Sequence, residues 1–166
     1  MDQQIYALAE EAGRLLAGRN WYMATAESCT GGWIGQAMTM VPGSSRWFDR
    51  GFITYSNQAK QAMLGVRDET LSAAGAVSEQ AVREMALGAL ARSRAHVAVA
   101  VSGVAGPEGG STDKPVGTVW IAWATKEGAC VAERFFFAGN RDDVRRQSVV
   151  SALKGVAACV NQQSTA

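Results

Sequence analysis

This 166-residue chain is poor in imidazole and thiol groups, with a single histidine and three cysteines. The cysteines, Cys29, Cys130 and Cys159, are odd in number and lack CxxC spacing. That argues against both a disulfide framework and a zinc site, and it fits a reducing cytoplasm. A Ser-His-Asp triad would rest wholly on His96, and a lone histidine between Ala95 and Val97 reads as a packed or capping residue. Neither sign of charge is in excess: 16 basic and 15 acidic residues leave a formal charge of +1. With no block of like charge, a nucleic-acid arm and a polybasic membrane anchor are both disfavoured. No apolar run approaches the roughly 20 residues needed to span a bilayer, and the start Met1-Asp2-Gln3-Gln4 lacks a basic export region. The expectation is a soluble cytoplasmic protein of one domain, residues 1–166, burying around two-thirds of its unfolded surface about one core.

What the chain does have is a regular alternation of helical and strand patterns. Ile5, Leu8, Ala9, Ala12, Leu15 and Leu16 recur at helical spacing, which predicts a helix over 3–18 with a glycine stop. A short strand follows at 22–26, then the turn Glu27-Ser28-Cys29-Thr30-Gly31-Gly32 and an apolar helix over 33–40. Pro42-Gly43-Ser44-Ser45 breaks that helix, Trp47 and Phe48 pack the return, and residues 51–56 read as the next strand. Beyond Lys60 come a short helix closing at 63–66, another over 68–74, and a longer one from Ser78 to about Arg94. The unbroken apolar run Val97-Ala98-Val99-Ala100-Val101 is the pattern of a central strand buried on both faces. Two further strands, 116–125 and 129–137, form an antiparallel hairpin, and a last helix runs from Asn140 to roughly Val160, with a frayed tail from Gln162 to Ala166. Together these predict a single-domain three-layer α/β/α sandwich with a mixed central sheet.

Several residues could carry chemistry. Lys60 at the end of a strand is either a solvated charge or a base held near neutrality by partial burial, as a Ser/Lys hydrolase needs. Ser28 and Thr30 read first as helix caps, and a serine after a Pro-Gly turn, such as Ser45, as a turn residue. Free N–H groups after Thr30-Gly31-Gly32 could receive a phosphate or carboxylate. The segment Ser102-Gly103-Val104-Ala105-Gly106-Pro107-Glu108-Gly109-Gly110-Ser111 leaves the central strand, where open α/β sheets place ligands. Cys29 at a helix start is a conceivable thiol nucleophile, although it lacks a partner and buried structural cysteine is the commoner case.

Three segments in order, Ala26 through Gly32, Gly51 through Lys60, and Ser102 through Gly110 with Lys114-Pro115-Val116-Gly117-Thr118-Val119, resemble the CinA C-terminal domain family over nearly the whole chain. The stand-alone members are nicotinamide-nucleotide amidases, and with no molybdopterin-binding-type domain in front this chain looks like that form. The resemblance implies hydrolysis of the carboxamide of nicotinamide mononucleotide to nicotinate mononucleotide and ammonia, with no metal and no cofactor. It also implies Ser45 as nucleophile, with Ser28 the competing serine, Lys60 as general base, and Tyr55 as a neighbour able to hydrogen-bond either. The substrate's phosphate and ribose would be cradled by amides after Thr30, Gly31 and Gly32 and by the loop holding Ser102, Gly103, Gly106, Gly109 and Gly110, with Arg141 as a bidentate partner. Arg145 and Arg146 read as a surface cluster.

Two other readings stand beside this one. A non-catalytic nucleotide-binding or regulatory domain would use the same Gly-rich loops without needing Lys60. An interaction module would expose Trp33, Trp47 and Phe48, which read better as core or dimer contacts. Self-association into a homodimer or higher homo-oligomer is expected of a small α/β enzyme.

Overall fold

Residues 1–162 are described by a computed structural model, in the order α1 (Gln3–Gly18), β1 (Met23–Glu27), α2 (Trp33–Thr39), a 3-10 turn (Ser44–Arg46), β2 (Phe48–Ile53), α3 (Asn57–Leu64), α4 (Asp68–Ala74), α5 (Glu79–Ala91), β3 (Val97–Gly103), β4 (Thr118–Thr125), β5 (Cys130–Phe136) and α6 (Arg141–Gln162). Local chemistry accounts for most of these boundaries. Asp2 caps α1 by accepting from the Gln4 and Ile5 amides at 3.1 Å each, and Ser78 caps α5 through the Ala81 amide at 3.1 Å. Gly65, with φ 71°, ends α3 in the left-handed conformation that glycine adopts without strain.

The strands form one five-stranded sheet in the order β2-β1-β3-β4-β5. β1 is parallel to both β2 and β3, and β4 and β5 continue antiparallel, so the mixed α/β/α architecture expected from the sequence is the one observed. Alternation along the central strands divides the core. Met23, Val97, Val99 and Val101 point toward α1, α2 and α6, whereas Ala24, Ala26, Ala98, Ala100, Ala122 and Ala124 pave the other face. The small alanines let α5 lie close against the sheet, through Val82, Met85, Ala86 and Ala89.

Several boundaries differ from the sequence expectation, most of them by one or two residues. β2 begins at Phe48, three residues early, and ends at Ile53. As an edge strand it carries charge, and Asp49 stays ordered there by accepting from Arg50 and Arg94 at 2.8 and 3.1 Å. The helix from Ser78 closes at Ala91, with Arg92 as its cap, rather than at about Arg94. Gln162 remains helical, and the rest of the tail expected to fray, 163–166, lies outside the described residues.

Connections from the adjacent parallel strands β1 and β3 run toward opposite edges of the sheet, β1 to β2 and β3 to β4. β1 feeds α2, packed on the α1 and α6 side, and β2 returns to β3 through α3, α4 and α5 on the alanine side. Where adjacent parallel strands diverge in this way, a crevice opens beyond their carboxyl ends.

Candidate active site

In that crevice the last residue of β1, Glu27, is followed by Ser28, and across it α3 brings Lys60. α3 starts when Ser56 caps the Ala59 amide at 3.0 Å, which places residue 60 on the inward face of its first turn. Lys60 is 1 % exposed, and its Nζ donates to Ser28 Oγ at 3.0 Å, to the Thr54 carbonyl at 2.8 Å and to the Tyr55 carbonyl at 3.3 Å. No carboxylate pairs with it among the described residues. Burial without a counter-ion disfavours the ammonium form, so the Lys60 pKa falls from 10.5 to about 8. The neighbouring Cys29 thiol moves the other way, pushed up to about 11 chiefly by burial, and is therefore protonated at neutral pH. A thiol in that state adds no charge to hold Lys60 protonated and is a poor nucleophile.

The stereochemistry of a neutral amine suits this position. Two N–H bonds can go to the two carbonyls, which leaves the nitrogen lone pair to accept the Ser28 hydroxyl proton. The arrangement can therefore withdraw a proton from Ser28 without histidine. His96 lies at the other end of β3, where its Nδ1 accepts from the Tyr22 amide at 2.9 Å and its ring stacks on Trp21 at 5.8 Å, the packed role expected of it.

Ser28 and Lys60 open into a cavity of about 300 Å³ walled opposite by the segment after β3. Ser102, Gly103, Gly106 and Gly109 line it, and the Ser102 side chain, on a residue 1 % exposed, has no protein partner among the described residues. The Ala105 and Gly106 amides likewise donate to no protein acceptor among those residues, and both line the cavity. Gly110 does not line it; a Cβ there would stand 2.9 Å from the Val116 amide, so its glycine serves the packing of the loop. Arg141, at the start of α6, closes one side by donating to the Gly106 carbonyl at 2.8 Å and the Tyr55 hydroxyl at 3.1 Å.

The structure does not bring every expected residue here. Ser45 is exposed on the 3-10 turn before β2, at the opposite end of that strand from Thr54 and Lys60, and it does not line the cavity. The pairing of Ser45 with Lys60 is thus corrected: the lysine meets the competing serine, Ser28. Tyr55 does hydrogen-bond Lys60, but through its carbonyl, while its hydroxyl accepts from Arg141. Thr30, Gly31 and Gly32 border a separate depression with Arg145, and the anion cradle expected there is not open. The Ile34 and Gly35 amides donate to the Glu27 carboxylate at 2.8 and 3.0 Å, and the Trp33 and Gln36 amides to the Thr30 and Gly32 carbonyls. The first turn of α2 is satisfied from inside the protein.

Sequence reasoning missed Glu27, Asn57, Glu108 and Arg145. Asn57 and Glu108 line the cavity, and Arg145, read as a surface charge, donates to the Cys29 and Thr30 carbonyls at 3.0 and 3.2 Å and so braces the Ser28 loop. Arg146, by contrast, pairs with Asp2. A signal for Glu27 was present, in a carboxylate just ahead of a helix whose cap position is a glycine with no side chain to offer. Trp47 is buried, and Trp33 and Phe48 pack against the core, so none supplies an exposed interaction face.

Fold and cavity together define an α/β protein of the kind that receives its ligand at the carboxyl edge of a parallel strand pair. More particularly, the CinA C-terminal domain sequence model matches residues 5–160, and the chain belongs to that family. Among its relatives is the nicotinamide-nucleotide amidohydrolase PncC of Escherichia coli K12, 54% identical over 92% of this chain and 93% of the relative. A protein of the same description from Pseudomonas putida is 53% identical over 92% of this chain and 94% of the relative. The crystal structure of the competence/damage inducible protein CihA from Agrobacterium tumefaciens superposes with a TM-score of 0.94 at 44% identity, covering 97% of this chain and 98% of that one.

Proposed function

We propose that the protein is a nicotinamide-nucleotide amidohydrolase that converts nicotinamide mononucleotide to nicotinate mononucleotide and ammonia, with Ser28 as nucleophile and Lys60 as general base. The names of the relatives support the substrate class. The observation that carries the mechanism is the buried contact between Lys60 Nζ and Ser28 Oγ at 3.0 Å, with no carboxylate to hold the lysine charged.

Lys60 Nζ takes the hydroxyl proton as Ser28 Oγ attacks the carboxamide carbon. The oxyanion that forms is met by backbone donors, for which the free Ala105 and Gly106 amides are suited. The resulting Lys60 ammonium returns its proton to the amide nitrogen, the C–N bond breaks, and ammonia leaves an ester on Ser28. Water then attacks the ester carbon while Lys60 again takes a proton, and the carboxylate product departs from a regenerated serine. The phosphate contact is assigned to the Arg141 guanidinium, which lines the cavity. The three free thiols accord with a reducing compartment.

The test is to incubate the purified protein with nicotinamide mononucleotide and follow ammonia and nicotinate mononucleotide, with Ser28→Ala, Lys60→Ala and Ser45→Ala alongside. Wild type and Ser45→Ala should turn over alike, and the other two should lose on the order of 10³-fold or more in kcat. A silent wild type would favour the non-catalytic nucleotide-binding reading. Loss in Ser45→Ala with retention in Ser28→Ala would overturn the assignment of the nucleophile.

A further inference from the structure

Glu27 is a carboxylate buried to 1 % exposure, one residue from Ser28, and the reaction as written makes no use of it. A charge buried in a medium of low dielectric is costly unless hydrogen bonds or a counter-ion meet it, and Glu27 forms no ion pair among the described residues. Glu27 Oε1 accepts from Thr30 Oγ1 at 2.7 Å and from the Ile34 amide at 2.8 Å, and Oε2 accepts from the Gly35 amide at 3.0 Å. The carboxylate thus takes the place that an N-cap side chain would fill, since the cap position of α2 is Gly32 at φ 99° with no side-chain hydrogen bond. The Glu27 backbone is held just as firmly, paired with Ile53 and Val101 on either side, with its carbonyl accepting from the Thr54 amide at 2.8 Å.

We propose that Glu27 is a positioning residue for the reaction: by giving its carboxylate wholly to Thr30 and the first turn of α2, it fixes the Ser28 loop opposite Lys60. The inference rests on the reading of Ser28 and Lys60 as the reacting pair. Ser28, Cys29 and Thr30 form a short span between a rigid strand and a helix, and Glu27 ties the two ends together across it. Arg145 clasps the same span from outside through two carbonyls, so the serine is held from both sides. A serine held in this way keeps its hydroxyl at hydrogen-bond distance from Nζ, and a displacement of about 1 Å is enough to cost on the order of 10²-fold in rate.

Glu27→Gln retains the shape of the side chain but presents an NH2 group where an oxygen now accepts an amide proton. Assayed well below its own melting temperature, it should lose on the order of 10²-fold in kcat while KM stays within about threefold. Its affinity for nicotinate mononucleotide by calorimetry should stay within about twofold of wild type, because Glu27 does not line the cavity. A purely structural cap would lower only the melting temperature and leave kcat per folded molecule unchanged. Thr30→Val, which removes one of the three donors and leaves the helix cap intact, should lose about tenfold in kcat with the same split. Should Glu27→Gln fail to fold, Thr30→Val decides alone. Folded variants that keep kcat within about twofold of wild type would overturn the role of Glu27. If wild type itself were inactive, or Ser28→Ala fully active, the reading beneath it would fall first, and the two failures are told apart by that control.

Discussion

Lys60 is the residue on which rate and stability pull in opposite directions. With a pKa of about 8, Lys60 in the proposed role of base is mostly protonated at neutral pH, so kcat/KM should rise roughly tenfold per pH unit below about 8 and level off above it. An acid limb centred well below that value would place the base elsewhere. The same shift affects folding. Between about 8 and 10.5 the unfolded chain holds a proton on Lys60 that the folded chain has released, so stability rises with pH across this window and the burial cost is fully felt below it. The fall from 10.5 to about 8 corresponds to about 3 kcal/mol. Denaturant unfolding of wild type and Lys60→Met over pH 7 to about 10.5 should show their difference shift by that amount in favour of wild type, since other titrating groups cancel. A difference independent of pH would mean that Lys60 keeps an ordinary pKa in the folded state.

At the scale of elements, α3 holds the lysine and α5 holds α3. Gly88 in α5 meets the Leu64 backbone directly, and a methyl group there would overlap the Leu64 carbonyl. Replacing glycine by alanine inside a helix ordinarily gains about 1 kcal/mol, but Gly88→Ala should instead cost about 1–3 kcal/mol. Activity should fall with it, as Leu64 lies one helical turn from Lys60. A variant more stable than wild type in chemical denaturation would refute this. Elements of this kind were largely legible in the sequence. The spacing of Ile5, Ala9, Ala12 and Leu16 and the run from Val97 to Val101 show periodicities that burial enforces. β2 was the exception, because Phe48-Asp49-Arg50 lacks the continuous apolar character of a buried strand and Gly51 resembles a break. Its pairing to β1 and the anchoring of Asp49 by Arg94 are long-range facts that local pattern does not carry.

Across the whole molecule, the sheet separates what sequence proximity brings together. Ser45 lies 15 residues from Lys60 and Ser28 lies 32 away, yet β2 runs between Ser45 and Lys60 while the parallel crossover returns Lys60 to the end of β1. Both residues were recognisable as candidates, but which serine meets the lysine follows from topology alone. Gly31 and Gly32 were likewise read correctly as a turn, although the group that occupies the adjoining helix start, Glu27, belongs to the preceding strand. Arg141 belongs to this same scale, since it joins α6 to the loop at Gly106 and to Tyr55. Arg141→Lys removes the planar fork that spans both contacts, so KM should rise about tenfold with kcat within about threefold; an unchanged KM in steady-state assays would exclude a role in holding the nucleotide. Arg141 and Arg145, which close the cavity and brace the serine loop, both come from α6. Detachment of α6 alone would therefore release the cavity wall and the serine loop in a single event, which makes the docking of one helix an all-or-none condition for an assembled site.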